Sequence, residues 1–284
     1  MKAVCIHPSP AVLAEGPVWH DRQLWWVDIE LGEIHALDPA TRAHRPWKLP
    51  HRIGFAVPTV RGDFLLGSDQ GIARFSAVDG SLNFVAHPES EITGNRFNDA
   101  KCDPSGRLWA GTMAVNEAPG QGSLYRIDPD LRITRALPHI SISNGLAWSL
   151  DGRTLYYIDS PTRRVDAFDF DAATGHIAHR RTVIEISDGF PDGMSIDHQG
   201  NLWIAIWGGW CVACHDPNTG MRLAKIDVPV KDVTSCCFGP DDTLYITTAS
   251  RDLPPAQKRR HPLAGGIFTA KPGIGGPPPP LFAG

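Results

Sequence analysis

The chain has 284 residues, with 42 % hydrophobic and 20 % charged residues and a formal net charge of −4. That length buries a sizeable core and those proportions are ordinary for a globular protein. Lys and Arg are scattered, so there is no basic stripe to follow a phosphate backbone, and nucleic acid is not an expected partner. The N-terminal MKAVCIHPSPAVLAEGP lacks an apolar run of signal-peptide length, and no stretch of about 18 apolar residues occurs. A cytoplasmic location, no membrane span and six free cysteines are therefore expected.

In chain order the apolar runs are LWWVDI, FLLGS, RLWAGTM, TLYYIDS, NLWIAIW and TLYITTA. Each is rich in aromatic and β-branched residues and bounded by Asp, Gly, Pro or Ser, which is strand and turn chemistry. Each follows a similar preamble: EGPVWHDRQ from Glu15, a weaker GFAVPTVRGD from Gly54, NDAKCDPSG from Asn98, NGLAWSLDG from Asn144, DGMSIDHQG from Asp192 and TSCCFGPDD from Thr234. Successive starts lie 39 to 48 residues apart. An open β-sandwich or two β domains would have the same strand content, but a repeat of this period with four short strands per unit points to an all-β, six-bladed propeller. The whole chain then forms one domain. The strand near Ala3–Ile6 and the last strand, GGIFTAKP, are left over and are expected to close the ring by sharing a blade. Residues 273–284 read as a Pro/Gly-rich tail, either poorly ordered or laid along the surface.

In a propeller the innermost strands line a central channel, so Glu15, Gly54, Asn98, Asn144, Asp192 and Thr234 should form a ring. Asn-Gly, Asp-Gly and Asn-Asp are also ordinary turn dipeptides. Four polar residues in register, however, bring two carboxylates and two amides to one point. Close carboxylates repel unless a proton or a cation lies between them. The oxygen-only donor set suits calcium, with magnesium or manganese as alternatives.

At full length the sequence resembles the senescence-marker-protein and gluconolactonase family of regucalcin-like sugar lactonases. The resemblance is carried by AEGPVW, NRFNDAKCDPSGRLWAGTM, ISNGLAWS, YYIDS, VDAFDFDAATG, PDGMSID, TSCCFG and AGGIF. It implies a six-bladed propeller and one divalent cation held by Glu15, Asn144 and Asp192: calcium foremost, with zinc, manganese, magnesium or ferrous iron also accommodated. It implies that Asp192 is the acid/base and that Arg96 and Asn98 contact the substrate. The family's substrate-contacting Glu after AGTM falls here on Asn116, with Glu117 next to it, so the loop near 114–123 is expected to shape substrate choice. The implied activity is metal-dependent hydrolysis of an aldonolactone to the open-chain sugar acid. The alternatives are an organophosphate hydrolase with a similar calcium site and a calcium-binding regulatory protein without turnover. The expected partner is a small-molecule sugar lactone; the sequence does not fix an oligomeric state.

Other signals lead nowhere. Cys211-Val-Ala-Cys214-His215 fits a haem-attachment pattern but falls where a third blade strand belongs, with Cys211 and Ala213 on one face and Val212 and Cys214 on the other. No second CxxC supports zinc, and no GxSxG, P-loop or dinucleotide fingerprint occurs. Trp207 and Trp210 flank a Gly-Gly turn that could line one mouth of the channel.

Overall fold

A computed structural model describes the backbone of residues 1–284 and every side chain but that of Pro255. After β1 (Val4–His7), the chain forms blade 1 from β2 (Ala14–His20), β3 (Gln23–Asp28), β4 (Glu33–Leu37) and β5 (His44–Lys48). Blade 2 is β6 (Ile53–Pro58), β7 (Phe64–Ser68), β8 (Gly71–Phe75) and β9 (Leu82–Ala86). Blade 3 is β10 (Asn95–Cys102), β11 (Leu108–Ala114), β12 (Gly122–Ile127) and β13 (Ile133–Ile140). Blade 4 is β14 (Ser143–Trp148), β15 (Thr154–Asp159), β16 (Arg164–Asp171) and β17 (His176–Glu185). Blade 5 is β18 (Phe190–Ile196), β19 (Leu202–Trp207), β20 (Cys211–His215) and β21 (Arg222–Asp227). Blade 6 is β22 (Val233–Phe238), β23 (Leu244–Thr248), β24 (Ile267–Ala270) and the N-terminal β1. Thus β1 pairs antiparallel with β24, Val4 opposite Thr269, and the ring closes as expected.

Six separate apolar clusters hold the ring together, one at each junction between neighbouring blades. Strand alternation explains this, because each strand sends odd and even residues into different junctions. In β20, Cys211 and Ala213 enter the junction with blade 4, whereas Val212 and Cys214 enter the junction with blade 6. The CxxCH stretch is therefore ordinary blade strand. Its cysteines are buried, and burial pushes the Cys214 thiol up to about 12. No helix among the described residues is long and apolar enough to cross a membrane.

The recurrent turn between first and second strands is built on an aspartate. Asp103 accepts from the Ser105 and Arg107 N–H groups and from the indole of Trp109. Asp197 repeats this with Gln199, Asn201 and Trp203. The D-x-x-G-x-L-W pattern is thus an Asp that caps its turn and fixes the tryptophan of the next strand. Residues 271–284 lie outside the sheets. They cross the end of the channel remote from the ring residues, where Pro277–Pro280 line a cavity of about 290 Å³. Phe282 anchors this strap: it is fully buried in the junction of blades 2 and 3, and its backbone pairs beside Thr59.

Candidate functional site

Each innermost strand carries a register irregularity directly at its ring position: between Glu15 and Val18, Ile53 and Phe55, Phe97 and Ala100, Ser143 and Leu146, Pro191 and Met194, and Val233 and Ser235. A bulge re-aims side chains and bends the strand, here at the one level where six strands approach the axis. The glycines of the N-G and D-G pairs serve this approach. A Cβ on Gly145 would stand 2.7 Å from the Asp192 carbonyl oxygen, and one on Gly193 would collide with Ser235. These are close-packing glycines and not turn formers. The strand entries are tied down by aspartates at the ends of the second strands. Asp28 accepts from the Val12 and Leu13 N–H groups just before Glu15, and Asp159 accepts from Ser141 and Ile142 just before Asn144.

Four ring residues, Glu15, Asn98, Asn144 and Asp192, line a cavity of about 320 Å³ together with Arg96. The other two ring positions do not reach it. Gly54 has no side chain and packs on the Phe97 backbone, and Thr234 donates to the Ala14 carbonyl in the junction with blade 1. The amides form a directed chain. Arg96 Nη1 donates to Asn98 Oδ1 at 2.6 Å; Asn98 Nδ2 donates to Asn144 Oδ1 at 3.0 Å; Asn144 Nδ2 donates to Ser160 Oγ at 2.8 Å. Ser160 Oγ in turn donates to the Pro191 carbonyl at 2.6 Å, linking blade 4 to the residue before Asp192. With its nitrogen committed to Ser160, Asn144 presents its oxygen to the axis.

The carboxyl groups of Glu15 and Asp192 stand close enough to share a proton, and both are buried. Burial pushes Asp192 well above the usual carboxylate range, and the Glu15 and Asp99 charges push it further. Burial and Asp99 likewise push Glu15 up, against the pull of the Gly16 N–H and Arg96. Arg96, buried among these groups, is pushed down to about 10 and keeps its charge at neutral pH. Asp192 Oδ1 is buried without a hydrogen-bond partner, and an orphan acceptor of this kind calls for a proton or a cation. Among the described residues no group of three or more His, Cys, Asp or Glu side chains forms a metal cluster. The donors here are two carboxylates and an amide oxygen, the hard set that oxygen-seeking cations prefer. The residues present therefore fit a divalent cation.

Asn116 does not reach the cavity. It is exposed, and its Oδ1 accepts from the Ala118 N–H within its own loop. Glu117, one residue later and at φ 59°, lines the cavity instead. Trp207 lines the cavity, whereas Trp210 is 40 % exposed and packs on His261. Ser160, Phe190 and Arg251 also line it and were missed from the sequence. A usable signal existed: Glu117, Ser160, Trp207 and Arg251 all stand at or just beyond the ends of second strands. That makes a second ring, visible once the six repeats are aligned.

A six-bladed propeller with buried carboxylates and amides at one end of its axis defines a class of channel-site proteins suited to a cation and a small ligand. The chain belongs to the SMP-30/Gluconolactonase/LRE-like family, whose pattern it matches over residues 13–250. It is 38 % identical over 290 residues to a Bacillus subtilis (strain 168) protein provisionally named sugar lactone lactonase YvrE, covering 100 % of this chain and 99 % of that one. It is 38 % identical over 296 residues to regucalcin of Oryctolagus cuniculus, covering 100 % and 99 %. The crystal structure of regucalcin from Agrobacterium tumefaciens, described as a calcium-binding protein, superposes with a TM-score of 0.93 at 31 % identity, covering 99 % and 97 %.

Proposed function

We propose that the protein hydrolyses a sugar lactone to the open-chain sugar acid, using one divalent cation held by Glu15, Asn144 and Asp192. The observation that carries this reading is the buried Glu15–Asp192 pair with its orphan Asp192 oxygen, set in a cavity with a buried arginine. The name of the B. subtilis relative supports the substrate class, and the description of the A. tumefaciens relative supports calcium. Zinc, manganese, magnesium and ferrous iron remain alternatives for the same donors. A cation bound there supplies Lewis-acid polarisation of the ring carbonyl.

The chain's own residues do the rest. Arg96 and Asn98 bind and orient the lactone through donors and acceptors already fixed by their mutual hydrogen bond. Leu13, Met113, Ile142, Phe190 and Trp207 supply apolar walls that cover the sugar ring and exclude bulk water. Asp192 takes the proton of the attacking water at its unpartnered Oδ1 and returns it to the ring oxygen that leaves. Glu117, and not Asn116, carries the acidic contact from the loop after β11.

The test is a panel of lactones assayed after chelation, with each of the five ions restored in turn. Turnover should require an added ion. Asp192→Asn, saturated with metal, should lose about 10²–10⁴-fold in kcat; a rate within about tenfold of wild type would remove Asp192 as the base. Arg96→Ala and Asn98→Ala should act mainly on KM or kcat/KM. One observation favours a second reading, a calcium-binding protein without turnover: the A. tumefaciens relative is described by its calcium binding. Tight calcium binding with no hydrolysis of any lactone under any ion would establish that reading. Faster hydrolysis of a fluorophosphate than of every lactone would point instead to organophosphates.

A further inference from the structure

An ion pair crosses the mouth of the cavity. Arg251 Nη2 donates to Glu117 Oε1 at 2.6 Å. Glu117 sits on the loop between β11 and β12 of blade 3, and Arg251 follows β23 of blade 6. The apolar clusters order the blades consecutively around the ring, so blades 3 and 6 face each other and the pair spans the opening. Both residues line the same cavity as Glu15, Arg96 and Asp192. Arg251 also reaches Asp252 Oδ1 at 3.3 Å, and its guanidinium lies 5.6 Å from the Trp207 ring centroid. With 28 % of the Arg251 and 43 % of the Glu117 side chain exposed, water screens the attraction, and the closed arrangement is favoured by no more than about fivefold. A substrate can open it.

Building on the lactone reading, we propose that Glu117 and Arg251 are the specificity latch of the site. They give up their mutual contact for hydroxyls at the end of the sugar remote from the carbonyl. In doing so they select neutral polyhydroxy lactones over lactones with an anionic substituent at that end. The chemistry of the latch dictates the sign. Arg251 offers several donors and Glu117 only acceptors, so a diol placed between them accepts from one and donates to the other. A phosphate or carboxylate in the same place can pair with Arg251. It then displaces Glu117 and stands beside that freed carboxylate and Asp252, one guanidinium against two acidic groups. Arg96 and Asn98 are buried within this cavity, whereas Glu117 and Arg251 are part-exposed at its mouth, so the two pairs read different ends of a bound sugar.

The test uses the full chain with its divalent ion restored and three substrates: D-glucono-1,5-lactone, its 6-phosphate, and δ-valerolactone, which has no hydroxyls. Wild type should prefer gluconolactone to the phosphate by about a hundredfold in kcat/KM, the scale of a misplaced charge. Glu117→Gln should narrow that ratio about tenfold. Arg251→Met should weaken kcat/KM on gluconolactone, mainly through KM, about tenfold more than on δ-valerolactone, the usual effect of losing a charged hydrogen bond. Equal losses on all three substrates would reduce both residues to a structural role and overturn the proposal, as would a wild type that prefers the phosphate. If no lactone is hydrolysed, the lactone reading fails by itself. The latch is then judged by calorimetric binding of 1,5-anhydro-D-glucitol and its 6-phosphate. Tighter binding of the neutral polyol, weakened in Arg251→Met, upholds it, and tighter binding of the phosphate overturns it.

Discussion

Replacing Asp192 by Asn should make the metal-free protein more stable. Without a cation, Glu15 and Asp192 are two buried carboxyls, with the Arg96 charge acting on Glu15 and the Arg251 charge on Asp192. Glu15 rises from an ordinary 4.5 to about 8. A carboxyl with a raised folded pKa holds its proton in the native state while the unfolded chain has released it. Stability is therefore fully present below about pH 4.5 and drains away as the pH climbs toward about 8. A rise of that size corresponds to a ceiling of about 5 kcal/mol at and above pH 8, shared between the two coupled groups. Removing one charge should recover about 2–4 kcal/mol at pH 8, less than about 1 kcal/mol at pH 5. For a chain of this size the gain at pH 8 is a melting temperature higher by about 3–7 °C. Scanning calorimetry of chelated wild type and Asp192→Asn at both pH values measures it. Saturating calcium should then reverse the order, because wild type gains about 4 kcal/mol at a thousandfold excess over Kd and the variant gains less. A metal-free variant that melts below wild type at pH 8, or a gain that is the same at pH 5, would refute the idea that this pair is held strained for a cation.

Three further outcomes are expected. Ser160→Ala frees the Asn144 amide to rotate and should weaken calcium binding about 10–100-fold; unchanged affinity in a calcium titration would show that Ser160 does not orient Asn144. Phe282→Ala should destabilise by about 3–5 kcal/mol and expose the strap to carboxypeptidase, and wild-type resistance to digestion would mean that the prolines hold it unaided. Burial, with the nearby His44 and His7, pushes His35 down to about 4. The native state thus resists protonation that the unfolded chain accepts below about 6.5, and stability should fall by at most about 3 kcal/mol as the pH drops from 6.5 to 4. His35→Gln should flatten that acid limb of the melting profile, and an identical slope in the variant would clear His35 of the effect.

The sequence discloses those features that the repeat itself encodes. Glu15, Asn98, Asn144 and Asp192 are visible because each opens an innermost strand at a regular spacing, and the CxxCH stretch reads as a strand because its residues alternate between two blade junctions. What eludes the sequence depends on how strands return on one another, within a blade or across the ring, and on local backbone angles. Ser160 matters because β14 and β15 run antiparallel and return it to Asn144, and Arg251 matters because blade 6 stands opposite blade 3. The choice between Asn116 and Glu117 turned on one backbone angle. Asn is the residue expected at positive φ, yet here Glu117 takes that conformation and Asn116 caps the turn, which swings the glutamate over the cavity. The tail was ambiguous because nothing local in GIGGPPPPLFAG shows that a single phenylalanine finds a vacancy between blades 2 and 3.

The shared closing blade has a consequence for biosynthesis. β1 leaves the ribosome before the other strands of the propeller, and its partner β24 begins at Ile267. At ordinary elongation rates β1 waits on the order of 15–50 s for that partner. Its Met1–Ala3 backbone bonds to Lys225 and Asp227 of β21 are almost equally delayed. During that interval blades 1 to 5 can form in turn, but the junction between blades 6 and 1 stays open, with Trp26 and Leu24 facing water on one side. The nascent propeller is thus an unclosed arc until β24 emerges, and the axial cavity acquires its full outline only when the last strand of the ring has been made.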